Sequence, residues 1–186
     1  MKSGVSGLLA LIALGLGIWL ALLPKRAGHS ALVERFSPQH QCHSLVTVVY
    51  DAQGDLHYRL AAAAAQHDAR GQISYFEQPQ LQLFNASQQI SWVVHANQAR
   101  LVQQRQLYLS GNIEIRSLMA DTALQKMVTE QVQIDLIDQA IQSDQRVTLS
   151  GQQFISRGNG LRGNFNQRVF TLLNSVKTHY AVQPHA

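Results

Sequence analysis

The stretch Leu107-Tyr-Leu-Ser-Gly-Asn-Ile-Glu-Ile115 decides the fold class, because apolar and polar residues alternate along it with a period of two. That period puts successive side chains on opposite faces of a strand, one buried and one wet. The stretch has an echo, Val147-Thr-Leu-Ser-Gly-Gln-Gln-Phe-Ile155, whose Gly151 lies 40 positions beyond Gly111. The echo reads as weak internal duplication of a meander unit, with Leu109 and Leu149 as equivalent inward positions. Gly111 and Gly151 are expected where each strand bends or approaches a neighbour closely.

Working outward, the same alternation recurs at short intervals. Leu45 to Leu60 reads as a hairpin whose turn, Asp51-Ala-Gln-Gly54, ends on a glycine able to take positive φ. Further strands are expected over 73–76, 80–84, 90–96, 98–102, 107–115, 128–136, 140–143, 147–155, 160–164, 168–172 and 176–182. Asn85-Ala-Ser87 and Ser156-Arg-Gly-Asn-Gly160 read as turns. Ala61–Ala65 has helix propensity, but five alanines cannot sustain a helix. The run is read as a strand carrying small side chains where another layer comes close. These elements specify an all-β sandwich, jelly roll or open barrel. The alternative is a mixed fold with a short helix within Met119–Glu130.

The N-terminal region is different. Val5 to Leu23 is 19 residues without a charge, long enough to span roughly 28 Å as a helix, near the thickness of a bilayer core. Pro24, Lys25 and Arg26 follow where a cleavage site would need small residues, so a retained anchor is expected rather than a signal peptide. The boundaries expected are an anchor over 1–26, a polar linker over 27–42, the β domain over 43–182 and a tail over 183–186. Lysine or arginine flanks both sides of the apolar stretch, so charge leaves its orientation open.

The net charge is +4, from 15 Lys and Arg against 11 Asp and Glu. With Lys2, Lys25 and Arg26 set aside as membrane flanks, 12 basic residues face 11 acidic ones. No basic stripe remains to bind nucleic acid. The single cysteine, Cys42, excludes an internal disulfide. His40 and His43 flank it without an acidic third ligand nearby, so no metal site is assigned. Gly158-Asn-Gly-Leu-Arg-Gly163 matches the dinucleotide fingerprint in letters only. A strand-like segment follows it, so it reads as a glycine-rich turn. No hydrolase motif or close carboxylate pair is present, and neither catalytic residues nor cofactors are expected.

The strand faces carry apolar residues that fit either a filled sandwich core or an open trough for acyl chains. At this point the residues resemble the LptC family, the inner-membrane-anchored component of lipopolysaccharide export. The landmarks, in order, are Val46-Thr-Val-Val-Tyr-Asp-Ala-Gln-Gly-Asp-Leu-His-Tyr-Arg-Leu60, Tyr75-Phe-Glu-Gln-Pro-Gln-Leu81, the two Leu-Ser-Gly strands and Leu161-Arg-Gly-Asn164. The resemblance runs from about Leu45 to Tyr180. It implies a twisted open β-jelly roll of two facing antiparallel sheets, held in the periplasm by one N-terminal transmembrane helix. It also implies a non-enzymatic relay. The chain would take lipopolysaccharide from the inner-membrane ABC transporter, formed by LptB, LptF and LptG, and pass it to the bridge protein LptA.

On that reading the trough would be lined by Leu45, Phe76, Leu83, Trp92, Leu109, Ile113, Val132, Leu149, Phe170 and Tyr180. The partner edges would be Val46 and Val48 on one side, and Val176, Thr178 and Tyr180 on the other. Gly54, Gly111 and Gly151 would be structural. A protein-binding β scaffold with a filled core, and an anchored enzyme, are the competing classes.

Overall fold

The computed structural model describes residues 40–68 and 72–180. The anchor expected over 1–26, nearly all of the linker over 27–42, the end of the β domain at 181–182 and the tail lie outside the described residues. Among the described residues there is no helix.

Eleven antiparallel strands form one sheet. They are β1 (His40–Tyr50), β2 (Leu56–Asp68), β3 (Ile73–Glu77), β4 (Gln80–Phe84), β5 (Ile90–His95), β6 (Gln98–Val102), β7 (Gln106–Ser117), β8 (Leu124–Asp135), β9 (Ala140–Gly151), β10 (Phe154–Asn164) and β11 (Val169–Tyr180). β3 and β4 pair in turn along one side of β2, and β5 and β6 likewise along β7. The sheet is therefore a meander of nine long rungs. Among the described residues β1 pairs only with β2, and β11 only with β10.

Nearly every rung is interrupted near its middle. In an unbroken strand buried side chains recur every second residue. Here the inward positions step by three, from Ala62 to Ala65, Phe76 to Pro79, Ala96 to Ala99, Thr129 to Val132 and Gly158 to Leu161. Such a step marks a residue that does not obey the alternation, as at a β-bulge, and it turns the chain through a corner. Gln78, Gly111, Asn112, Gly160 and Ser175 take positive φ along this line. The corners divide the sheet into two halves that face each other. The Trp92 ring of one half lies 5.4 Å from Phe165 and 5.3 Å from Phe170 of the other. His57 Nε2 bonds the carbonyl of Leu136 at 2.7 Å, closing the halves elsewhere.

Two inward rows carry the core. In the first half-sheet, Leu60, Leu81, Val94, Ile115, Met127 and Leu149 are successive cross-strand partners. In the second, Ala65, Phe76, Ala99, Leu109 and Val132 are. All are buried, and each large member adds about 1.5–3 kcal/mol by leaving water.

Several expectations are revised. No helix forms within Met119–Glu130, because β8 runs from Leu124 with the sheet period. Ser156–Gly160 is the interior of β10 and not a turn, and the stretch 158–163 with it. A Cβ on Gly163 would sit 2.5 Å from the Phe170 ring and 2.7 Å from the Val169 carbonyl, so these glycines admit the neighbouring strand. Leu109 and Leu149 both point inward, but they stand on opposite half-sheets and are not equivalent. Gly111 opens the corner of β7 at φ +78. Gly151 ends β9, where a Cβ would lie 2.2 Å from the Ala123 carbonyl. The alanine run lies inside β2, with Ala62 and Ala65 buried on either side of its corner.

Candidate functional site

The residues expected to line a trough take positions set by the inward rows. Leu83, Trp92, Ile113 and Leu149 are buried in the first half-sheet, and Phe76, Leu109 and Val132 in the second. Leu45 on β1 and Phe170 on β11 are partly buried and packed against them. These nine come together in one apolar body. Tyr180 does not join it and is 74% exposed. Phe165, in the turn between β10 and β11, was not singled out in the sequence. Its signal is weak, one aromatic residue between asparagines.

The apolar body is covered through most of its width and uncovered along the second half of β11. Ser156 pairs with Thr178, and Phe154 with Tyr180, so these β11 residues continue the inward rows of β10. A Cβ on Gly158 would meet Val176 at 3.3 Å, which puts Val176 on the same face. Yet Val176 is 49% exposed, and every β11 residue from Leu173 onward is exposed. The inward face thus reaches solvent as an apolar ledge next to Phe154, Phe170 and Leu172. At the opposite margin, Val46 and Val48 are exposed on the outward phase of β1. Both margins are long strands with one side of the backbone unpaired among the described residues, a template for another strand.

A sizeable cavity among the described residues lies elsewhere. It has a volume of about 750 Å³ and is lined only by residues of β1, β2, β3, β6, β7, β8 and β9 in the second half-sheet. The inward row Ala65, Phe76, Ala99, Leu109 and Val132 borders it from beneath and no residue of the facing half lines it, so it opens on the outer surface. Tyr75, Arg100, Tyr108, Gln133 and Gln142 occupy its polar phase. The Arg100 guanidinium lies over the Tyr108 ring at 4.7 Å. None of these residues is singled out by the sequence pattern. Their signal is glutamine or tyrosine recurring on the polar phase of successive strands.

Four polar side chains beside the groove form a ladder. Gln142 Nε2 donates to Gln133 Oε1 at 2.6 Å, Gln133 Nε2 to Gln106 Oε1 at 2.7 Å, and Gln106 Nε2 to Asp135 Oδ2 at 2.6 Å. Partial burial pushes the Asp135 carboxyl up. The Arg105 guanidinium, the N–H groups of Asp138 and Ile137 and the Gln106 amide outweigh it and hold the carboxyl below its ordinary range. The charged end gives every amide in the ladder one direction. On the first half-sheet, Lys126 and Arg116 hold the Glu114 carboxyl low. Among the described residues no group of three or more His, Cys, Asp or Glu could hold a metal ion.

The fold and its margins define a class: an antiparallel β protein with an apolar interior that surfaces at one open edge. A family model described as "Lipopolysaccharide-assembly, LptC-related" matches residues 8–181. The chain is 34% identical over 152 residues to the lipopolysaccharide export system protein LptC of Escherichia coli (strain K12), covering 82% of this chain and 80% of that one. It is 32% identical to the LptC of Haemophilus influenzae, over 96% of this chain and 93% of that one. The chain belongs to the LptC family. Among solved structures, it is similar to LptH of Pseudomonas aeruginosa, the LptA-homologous periplasmic component of a lipopolysaccharide transport device. That likeness has a TM-score of 0.52 at 10% identity and covers 68% of this chain and 95% of that one, so it is a likeness of fold.

Proposed function

We propose that this chain is a non-enzymatic relay for lipopolysaccharide, tethered to the inner membrane by residues 5–23 with its β domain in the periplasm. The observation that carries the reading is the apolar ledge, where the inward face of the sheet runs out to solvent at β11. Acyl chains enter there, between the half-sheets, and displace side chains from the body formed by Leu109, Val132, Leu149 and their neighbours. The twisted open jelly roll supplies this path because its last rung has no facing layer. Neighbouring subunits dock by strand addition. β1 faces the ABC transporter formed by LptB, LptF and LptG, and β11 faces LptA. The ATPase supplies the energy, so no residue of this chain needs to do chemistry.

A photo-crosslinking side chain at Phe170 tests this in cells. Capture of lipopolysaccharide there, with none from the outward Glu114, is the expected result. Capture only from Glu114 would sink the reading. A second reading, a membrane-anchored scaffold that binds proteins alone, draws on the filled packing of Leu83, Trp92 and Ile113. It requires that neither position captures lipid while both sheet edges still bind their partners.

A further inference from the structure

The groove on the outer face of the second half-sheet is built unlike the apolar interior. We infer that it is a binding site for an uncharged oligosaccharide. Four observations support this.

The first is size and shape. The groove of about 750 Å³ and a second hollow of about 290 Å³ share Gln133 and Gln142, so they form one elongated surface. The larger volume falls in the range of small-molecule sites, and the added length suits a chain of linked rings. The second is chemistry. Gln133 and Gln106 each spend one N–H and one lone pair within the ladder and Gln142 spends one N–H, so every glutamine keeps a donor and an acceptor site. The row therefore offers donors and acceptors side by side, already oriented by Asp135, as pairs of ring hydroxyls require. Pre-orientation spares much of the side-chain ordering that binding otherwise costs.

The third is the aromatic content. Tyr75 is 47% exposed and belongs to the lining, with Tyr108 nearby under Arg100. An exposed phenol ring offers a flat apolar face to the C–H side of a sugar and a hydroxyl to its edge. The fourth is charge. Arg100 and Arg162 are balanced by Glu77 and Asp144, and Arg162 is paired to Asp144 at 3.1 Å. Asp135 is paired to Arg105 at 2.6 Å. A polyanion finds no net attraction here, and the apolar residues Phe76, Leu109 and Val132 that border the groove are rimmed by glutamines and tyrosines.

The groove opens on the outer face, away from the proposed acyl path, although Phe76, Leu109 and Val132 of that path also border it. The ligand is either the saccharide portion of lipopolysaccharide or another neutral glycan. Isothermal titration of the full-length protein in a non-glycosidic detergent separates these. One arm uses the lipid-free oligosaccharide released from lipopolysaccharide by mild acid, dephosphorylated and carboxyl-reduced so that it carries no charge, a second maltoheptaose, and a third heparin. Saturable binding of either neutral glycan is expected, with affinity reduced about tenfold or more by Tyr75→Ala and by Gln133→Ala. Tyr75→Phe should recover most of the loss, and circular dichroism shows that the variants remain folded. Binding of the released oligosaccharide assigns the site to the cargo, and binding of maltoheptaose alone assigns it to a different glycan. Absence of binding in both neutral arms, wild-type affinity in both alanine variants, or tighter binding of heparin overturns the proposal. Lipid capture at Phe170 is scored separately, so failure of the groove leaves the acyl reading standing.

Discussion

The Trp92 indole and the Phe170 ring meet edge to face, 5.3 Å apart at 68°. Trp92 belongs to β5 and Phe170 to the outermost strand β11, so one aromatic contact ties the open edge to the far half of the sheet. The indole Nε1 is buried without a hydrogen-bond partner among the described residues.

Loosening that contact should be visible in fluorescence. Trp19 and Trp92 are the two tryptophans, so a Trp19→Phe background leaves Trp92 as the sole reporter. Phe170→Ala should shift its emission to the red and cost about 1–3 kcal/mol of stability, below the range for a fully buried ring because Phe170 is only partly buried. Adding lipopolysaccharide to the Phe170-containing protein should also change the emission. An unchanged spectrum in both experiments counts against a moving contact at this edge.

Edge docking predicts a different pattern. Val176→Asp and Tyr180→Asp place a charge on an exposed ledge, where the cost to folding should stay within about 0.5 kcal/mol. Retention of LptA in pull-downs should nevertheless drop at least several-fold, while association with the ABC transporter persists through β1. Equal recovery of LptA with both variants would remove β11 as the docking strand.

Acid sensitivity follows from Asp135 and Glu114. Both carboxyls are held below their ordinary range in the folded chain. The stability they contribute is therefore present above the unfolded carboxylate value, about 4, and lost as pH falls through the lower folded values. Urea midpoints measured from pH 7 down to pH 3 should decline over that window. Asp135→Asn should flatten part of the decline, and an identical profile would show that Asp135 does not contribute.

The two structural glycines at strand ends and turns should differ in kind. Gly151→Ala drives a Cβ toward the Ala123 carbonyl at 2.2 Å and the Phe154 ring at 2.3 Å. Relief requires backbone movement, costing about 1–3 kcal/mol. Gly54 has φ +90 with nothing within 4 Å of a built Cβ, so Gly54→Ala meets only the conformational penalty, about 1 kcal/mol. Thermal midpoints of the two variants rank the effects.

The alternation around Leu107–Ile115 determined by itself that this chain is built from strands, and which residues turn inward along each uninterrupted stretch. Burial depends on period two, a local property of sequence, so Leu109, Ile113, Val132 and Leu149 were legible. The hairpin over 45–60 was legible for the same reason, since Asp51 and Gly54 carry their own turn chemistry.

Only the tertiary structure decided the corners. A step of three from Ala62 to Ala65 or from Thr129 to Val132 is imposed by pairing with neighbouring rungs, not by the preferences of those residues. Without the corners, the two Leu-Ser-Gly strands looked interchangeable and the glycines of 158–163 looked like a turn. The ladder from Gln142 to Asp135 was hidden for a related reason. Its members come from three strands, β7, β8 and β9, and hydrogen bonding between them exists only once register has set those strands side by side.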